Sequence, residues 1–366
     1  MSKLNYKNAI AIVLVFYIGS HMVHTPEGLG TDGWAAHLIG FVAVTPLLLI
    51  LARLVQLMPR MDLFEMLEYA LGRSIAIIVS LLYFLYFTVS SASVGAYYGS
   101  FLQLTSLPNT PFFVLLLALF GLCAYLAKSG GLTLGKWSVI LGAVTVFTAV
   151  LLTLFAIPSM RAENLLPVVE NGGRAIARAG ARQAVFPFGE AIVFLALFGR
   201  LDQTGKSYKV FFLGAIFAAG VFILNFLRDA AILGAGGMDS LRYPFFEAAG
   251  VIRVGALETR IETLVTLPIV IAGLTTAAIY LFAATGAVRR VFGVKDSRAL
   301  YLWLTLSAVG LAMVLFGNMR MLPSFSAVHF IVAPLFQLGF PVLIWLVAEV
   351  KSIRRPVIAE EKKSEA

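Results

Sequence analysis

Ten apolar runs, each close to the length that crosses a bilayer, divide this chain at polar, glycine- or proline-bearing junctions. A helix needs about 20 apolar residues to cover the hydrocarbon layer. The runs predict spans near 9–27, 34–57, 75–104, 111–127, 137–157, 183–200, 208–235, 260–287, 300–318 and 326–350. Pro108, Pro111, Pro158 and Pro244 fall at or beyond predicted ends, where a residue without an N–H terminates a helix.

Two runs are interrupted, the first at Gly19-Ser20-His21 and the sixth at Phe186-Pro187-Phe188-Gly189-Glu190. Broken helices expose backbone groups that lipid cannot satisfy, so they persist only where they are buried in protein or line a cavity. Five spans precede the segment 159–182 and five follow it. No sequence repeat links the halves, but the matching span count and matching breaks predict one architecture. It is an all-α integral membrane protein with an inverted 5+5 repeat and discontinuous helices 1 and 6. The repeats cover about 9–157 and 183–350, within a single polytopic domain 1–353. Residues 354–366 form a charged cytoplasmic tail expected to be disordered. Segments 159–182 and 236–259 are the long outer loops. In the second, Tyr243-Pro244-Phe245-Phe246-Glu247 and Val251-Ile252-Arg253-Val254 predict a short helix lying in the outer interface.

Composition agrees with a membrane chain: 60% hydrophobic, 13% charged, against about a quarter charged in soluble domains. The net charge of +9 does not point to nucleic acid, because the basic residues sit between spans rather than on one soluble face. With the N-terminus inside, all but nine of the 28 Lys and Arg residues fall in inner segments. The nine are Arg161, Arg174, Arg178, Arg182, Arg228, Arg242, Arg253, Arg260 and Arg320, mostly in the two long outer segments, where charge bias counts least. Both termini are therefore expected in the cytoplasm. Lys3 and Lys7 precede an apolar run, but no small-residue cleavage site follows. The single Cys123 cannot form an internal disulfide and reads as a small core residue.

A series of short motifs runs along nearly the whole chain. It comprises Phe16-Tyr17-Ile18-Gly19 with Trp34 after it, Leu107-Pro108-Asn109-Thr110-Pro111, Glu163-Asn164-Leu165-Leu166-Pro167-Val168 ahead of Gly172, Phe186-Pro187-Phe188-Gly189-Glu190, Tyr243-Pro244, and Gly255-Ala256-Leu257-Glu258-Thr259-Arg260-Ile261-Glu262. In this order and spacing the chain resembles the spore germination permease family, the B subunits of nutrient germinant receptors, within the amino acid–polyamine–organocation superfamily. The resemblance implies a ten-helix fold like that of neurotransmitter-sodium symporters and amino-acid permeases. It further implies sensing of amino acids, sugars or nucleosides at the inner membrane of a dormant spore, beside a membrane A subunit and a lipoprotein C subunit. Relatives in the superfamily place a Lys within the fifth span in place of a sodium ion. Here Trp137 to Pro158 holds no ionisable residue after Lys136, so that mode of proton coupling is not expected. The paired breaks alone also fit a proton- or sodium-coupled secondary amino-acid transporter.

The candidate ligand-binding residues cluster at the breaks and on the spans expected to flank them. At Gly19, Ser20 and His21 a half-helix end suits a carboxylate and unwound carbonyls suit an ammonium group, so an amino acid fits opposed ends. The alternative is a kink with a packing glycine. Phe186, Phe188, Gly189 and Glu190 form the second break, where Glu190 is either a ligand or gating contact or an acceptor for neighbouring helix donors. Span 3 offers Ser91 and Tyr97, with Ser90, Ser93 and Tyr98 beside them. Tyr97 closes the pocket or anchors at the interface. Span 8 offers Gly273, Thr275 and Thr276, as ligand contacts or as hydroxyls bonded back to their own helix.

Arg228-Asp229 are adjacent on a helix and point about 100° apart, which predicts partners on other spans or at the outer interface. Glu258 and Glu262 share a face, forming an outer gate, a subunit contact or an interfacial charge cluster. His21 and His24 are three apart, but no further ligand completes a metal site. His37 and His329 stand alone and read as structural. No nucleophile–base pair or phosphate-cradling loop is evident, so neither catalysis nor a cofactor is expected.

Overall fold

The computed structural model describes residues 3–21, 26, 28–252, 261–294, 298–317 and 322–364, without the side chains of 298, 322–326 and 353–364. All regular structure described is helical. Eight helical stretches are long and apolar enough to cross a membrane, and Phe112–Lys128 is a shorter apolar one. With α1 (Tyr6–His21) they give the expected ten spans. The chain is an integral membrane protein whose apolar surface faces outward. Phe147 is 66% exposed, Trp303 65%, Val314 75% and Ile331 80%, as residues that face lipid are.

Spans 2 to 5 are α2 (Gly33–Leu57), α4 (Arg73–Thr105), α5 (Phe112–Lys128) and α6 (Gly131–Ala156). A nine-residue helix, α3 (Leu63–Leu71), lies between α2 and α4. Asp62 starts it with a capping box, accepting from the Phe64 and Glu65 amides at 3.0 Å while Glu65 accepts from the Asp62 amide. Span 6 is composite: α7 (Gly172–Val185), a 3-10 segment Phe188–Phe194, and α8 (Leu195–Phe198). Span 7 is α9 (Ser207–Ser240), followed by the short α10 (Pro244–Val251). Spans 8 and 9 are α11 (Ile261–Phe292) and α12 (Arg298–Phe316). Span 10 is α13 (Leu322–Pro334), a π-helical turn Leu335–Gly339, and α14 (Phe340–Ser364).

Alternation of the spans can be read from contacts between their ends. The Leu4 amide donates to the Arg200 carbonyl (2.9 Å), and the Asp202 amide returns a bond to the Leu4 carbonyl (2.8 Å). The chain after six spans thus lies on the N-terminal face. Arg290, after eight spans, pairs with Glu65 and Glu68 on α3. Lys351, after ten, donates to the Tyr69 carbonyl at 2.7 Å. The junctions after spans 1, 5 and 7 meet on the opposite face: the Asp32 carboxylate accepts from the Val169 amide at 2.7 Å, and Arg161 donates its amide to Ala231. A short helix follows the second span of each half, α3 on one face and α10 on the other, as an inverted repeat requires.

Two long spans, α4 and α11, pack along one another. At 33 and 32 residues each is about 50 Å long, more than the hydrocarbon thickness, so both cross tilted. Small residues permit the approach: the Tyr98 ring fills the space a side chain on Gly273 would need, and Ser91 donates to the Ala277 carbonyl at 3.0 Å.

Three expectations need correction. Segment 159–182 is not simply a loop, because α7 begins at Gly172 and packs on α2, with Gly40 close to Gln183 and Gly180 close to Ile39. Its arginines mask an amphipathic helix whose buried stripe is Ile176, Gly180 and Gln183. The charged tail is helical through Ser364, in keeping with its Ala, Glu and Lys content. Span 7 is itself interrupted: Gly234, at φ 67° and ψ 177°, breaks α9. Arg253, Glu258, Arg260, His24 and Arg320 lie outside the described residues.

The break in α9 gives the Glu163-Asn164 motif a physical role. Asn164 Nδ2 donates to the Ala231 carbonyl (2.9 Å) and reaches that of Ile232 (3.4 Å), groups that the kink leaves without helical partners. Asn164→Ala is expected to lower stability by about 1 kcal/mol, the net worth of one hydrogen bond, because the Arg161 amide still donates to the Ala231 carbonyl; the loss is read as a lower melting temperature in detergent.

Candidate functional site

Span 6 comes apart where Pro187 and Gly189 stand. α7 ends at Val185, Phe186 is extended, and after Pro187 the seven residues Phe188–Phe194 turn as a 3-10 helix. Runs of that length in the tighter helix are uncommon and mark hinges. The break is buried in protein, and side chains of other spans meet the backbone groups it frees. Gln337 Nε2 donates to the Val185 carbonyl at 3.0 Å, and the Tyr17 hydroxyl donates to the Phe188 carbonyl at 2.9 Å. Gln337 rides on the π-helical turn of span 10, so two irregular segments face each other.

Glu190 is fully buried at their junction. Its Oε1 accepts from the Tyr86 hydroxyl at 2.5 Å and from Gln337 Nε2 at 3.0 Å, and lies 3.2 Å from His329 Nε2. Gln337 Nε2 also reaches the Tyr86 oxygen at 3.0 Å. Glu190 Oε2 and the Tyr280 hydroxyl on α11 are both buried, and Tyr280 interacts with Glu190. The Glu190 side chain therefore ties spans 3, 6 and 10 together inside the protein, with the Tyr280 hydroxyl of α11 facing it.

The predicted residues fall into three groups. Phe186, Phe188, Gly189 and Glu190 sit at the break as expected, and Phe186 stands edge-on to His329 (5.7 Å). Gly19, Ser20 and His21 are regular helix, so span 1 does not come apart at these three residues; Met22–Thr25 lie outside the described residues. Gly19 is a close-packing residue: any side chain there would meet the Ala272 carbonyl and Thr276 of α11. Hydroxyls cover the carbonyls of span 1, Thr276 donating to Phe16 (3.0 Å) and Tyr98 to Gly19 (2.9 Å). Thr275 bonds back to the Ile271 carbonyl at 2.8 Å and accepts from Trp137 at 3.2 Å. Tyr97 stands edge-on to Tyr243 (5.8 Å), at the end of α4 that meets α10, away from the break.

Tyr86, Gln337 and His329 were not legible as partners of Glu190. His329 does not stand alone, nor does His37, whose Nδ1 lies 3.2 Å from Gln183 Oε1 and whose ring meets that of His21 edge-on at 4.5 Å. The Arg228–Asp229 expectation also changes. The two pair with each other: Arg228 Nε and one terminal nitrogen contact Asp229 Oδ1 at 2.8 and 2.7 Å, and the other donates to Asn225 Oδ1 at 3.0 Å. A guanidinium stem is long enough to fold back across the 100° between neighbours.

Two adjoining clefts lie beside this pair, sharing Asn225 and Phe245. One is a shallow cleft with Arg228 at its polar end and Ile18, Leu152 and Ile269 among its apolar walls. The other, also small, lies between the ends of α1, α9 and α10 and is lined by His21 and Asp229 with Phe226, Met238 and Phe245.

The family model described as "Spore germination protein" matches residues 3–320. Spore germination protein KB of Bacillus subtilis (strain 168) is 23% identical over 360 residues, covering 97% of this chain and 96% of its own. Spore germination protein YndE of the same organism is 18% identical over 306 residues, 82% of this chain and 84% of its own. In fold, the chain is similar to a manganese transporter of Eremococcus coleocola, with a TM-score of 0.64 at 13% identity over 93% of this chain and 76% of that one.

Proposed function

The chain belongs to the spore germination protein family, and from that premise we propose that it is the small-molecule-sensing membrane subunit of a nutrient germinant receptor. The observation that carries the reading is the interrupted sixth span, whose buried Glu190 is held by side chains of spans 3 and 10. Parting these spans frees the Glu190 carboxylate and opens a surface formed by Phe186, Phe188, Gly189 and Glu190. Gly19, Ser20 and His21 of span 1, Ser91 of span 3, and Thr275 and Thr276 of span 8 complete it, with Tyr97 closing its outer side. An amino acid is the ligand class, since its two charges suit a carboxylate and the polar backbone of a broken helix. The ligand acts by binding the parted arrangement better than the closed one.

Partner A and C subunits read that shift, in the inner membrane of the spore. Both termini face the cytoplasm, a reading supported by the Lys and Arg distribution. Residues 1–353 act as one membrane domain and 354–366 as a charged cytoplasmic extension. Spores lacking this chain and its paralogues are expected to lose the response to at least one amino acid, measured as the loss of optical density after nutrient addition. Normal responses to all amino acids, sugars and nucleosides end the reading. Uptake of labelled amino acid into liposomes holding this chain alone replaces it with a proton- or sodium-coupled transporter.

A further inference from the structure

We propose that the exposed face of α7 is a binding site for the headgroup of a net-anionic phospholipid in the leaflet opposite the N-terminus, with Arg174, Arg178 and Arg182 as its counter-charges. The inference rests on the outer surface of span 6 and does not need the break in that span to bind germinant.

The three arginines recur every fourth residue. At about 100° per residue they fall within about 80° of one another, opposite the buried stripe of Ile176, Gly180 and Gln183. All three are exposed, and the exposed residues between them are Ala177 and Ala181. Among the described residues none of the three has an ion-pair partner. Glu170, one turn before Arg174, is the one acid in sequence within a turn of any of them, and it makes no ion pair.

Span 6 sets their depth. Its end on the N-terminal face is fixed by the Arg200 carbonyl, which accepts from the Leu4 amide. Going outward, the four residues of α8 and the seven of the 3-10 segment rise about 20 Å, at about 1.5 and 2.0 Å each. Pro187, Phe186 and the last turn of α7 add about 10 Å, so Arg182 stands about 30 Å out, where the hydrocarbon layer ends. Arg178 and Arg174 follow about 6 and 12 Å beyond it, across the headgroup layer.

The neighbouring helices at this depth face lipid. α2, which meets α7 through Ile39 and Gly40, exposes Leu38 and Val42. α13 exposes Val328 and Ile331 on either side of Phe330, whose ring centroid lies 5.8 Å from the Arg182 guanidinium carbon. Three cations therefore look onto lipid with no described acid to balance them, a costly arrangement unless the lipid supplies the charge. Their long stems let the deeper guanidiniums reach up to the phosphate level. Each planar fork suits a phosphodiester, and the three together repel the ammonium of a zwitterionic headgroup. The apolar walls of α2 and α13 receive the acyl chains. A lipid seated there holds the outer half of the span that leads into the break.

The test reads the lipid beside α7 directly. Ala181→Cys in the full-length protein is labelled with a small fluorophore and reconstituted into phosphatidylcholine vesicles; the one native thiol, Cys123, is buried. Quenching is compared for phosphatidylglycerol and phosphatidylcholine carrying the same brominated chains, at equal low mole fraction. Brominated phosphatidylglycerol is expected to quench as though enriched about tenfold over its share of the bilayer. Arg178→Gln is expected to lower that enrichment about fivefold, the worth of one basic side chain at an anionic surface. The triple Arg174→Gln/Arg178→Gln/Arg182→Gln is expected to abolish it. Inorganic phosphate, compared with chloride at equal ionic strength, is expected to displace none of the lipid. The lipid comparison leaves every arginine in place, so it does not hang on how the variants fold. Equal quenching by the two lipids, which leaves the stripe to an acidic protein partner, overturns the proposal. So does enrichment that survives the triple substitution, or displacement by inorganic phosphate, the mark of a free-anion site.

Discussion

Leucine at position 189 is expected to abolish the germinant response while leaving the protein in the membrane. Gly189 lies against span 10, where even a Cβ would meet Gln337 Oε1 and stand 2.8 Å from the Ala184 carbonyl. Gln337 is the weak point of the arrangement, because its one amide nitrogen reaches Val185, Tyr86 and Glu190 at 3.0 Å each. Displacing it leaves the Val185 carbonyl and the Glu190 side chain each short of a donor inside the membrane, at about 1–3 kcal/mol apiece. The damage is local to the hinge. The ten apolar spans that hold the chain in the bilayer are untouched, so membrane abundance by immunoblot is expected to stay near wild type. Gly121→Leu is the matched control, since nothing lies within 4 Å of a Cβ there. Wild-type nutrient sensitivity in the Gly189→Leu spores defeats the proposed role of the break.

The architecture was legible because apolar runs of spanning length are set by the bilayer itself. The sixth-span break was legible for the same kind of reason: Pro187 removes a donor and Gly189 loosens the helix, wherever they occur. Gly19 was ambiguous because a glycine at a helix crossing and a glycine at a break look alike in sequence. The difference lies in the Ala272 carbonyl and Thr276, more than 250 residues away in the chain. Amphipathic α7 was hidden by Arg174, Arg178 and Arg182, which lower the hydropathy of a helix that still buries one stripe. The partners of Glu190 were out of reach altogether, since Tyr86 and Gln337 lie 104 and 147 residues from it. Local pattern records which residues are costly to bury, while only the fold says what each is buried against.

The Arg228–Asp229 pair turns that lesson into a measurement. Arg228 and Asp229 are 2% and 4% exposed and compensate each other almost entirely. Arg228→Met leaves the Asp229 carboxylate buried with its counter-charge gone and strands the Asn225 oxygen. Removing one partner of a buried pair costs about 3–5 kcal/mol, whereas replacing both by apolar groups of similar size is neutral or stabilising. The single Arg228→Met variant is therefore expected to unfold well below wild type in a detergent melting experiment. Adding Asp229→Leu to it is expected to recover most of the loss. That sign reversal separates a pair balanced within itself from two charges anchored to different spans, the arrangement their 100° separation on the helix first suggested. Were they anchored apart, the second substitution would deepen the defect, because each would strand a different partner. Recovery places both charges in one self-contained unit, about one turn before the α9 kink at Gly234.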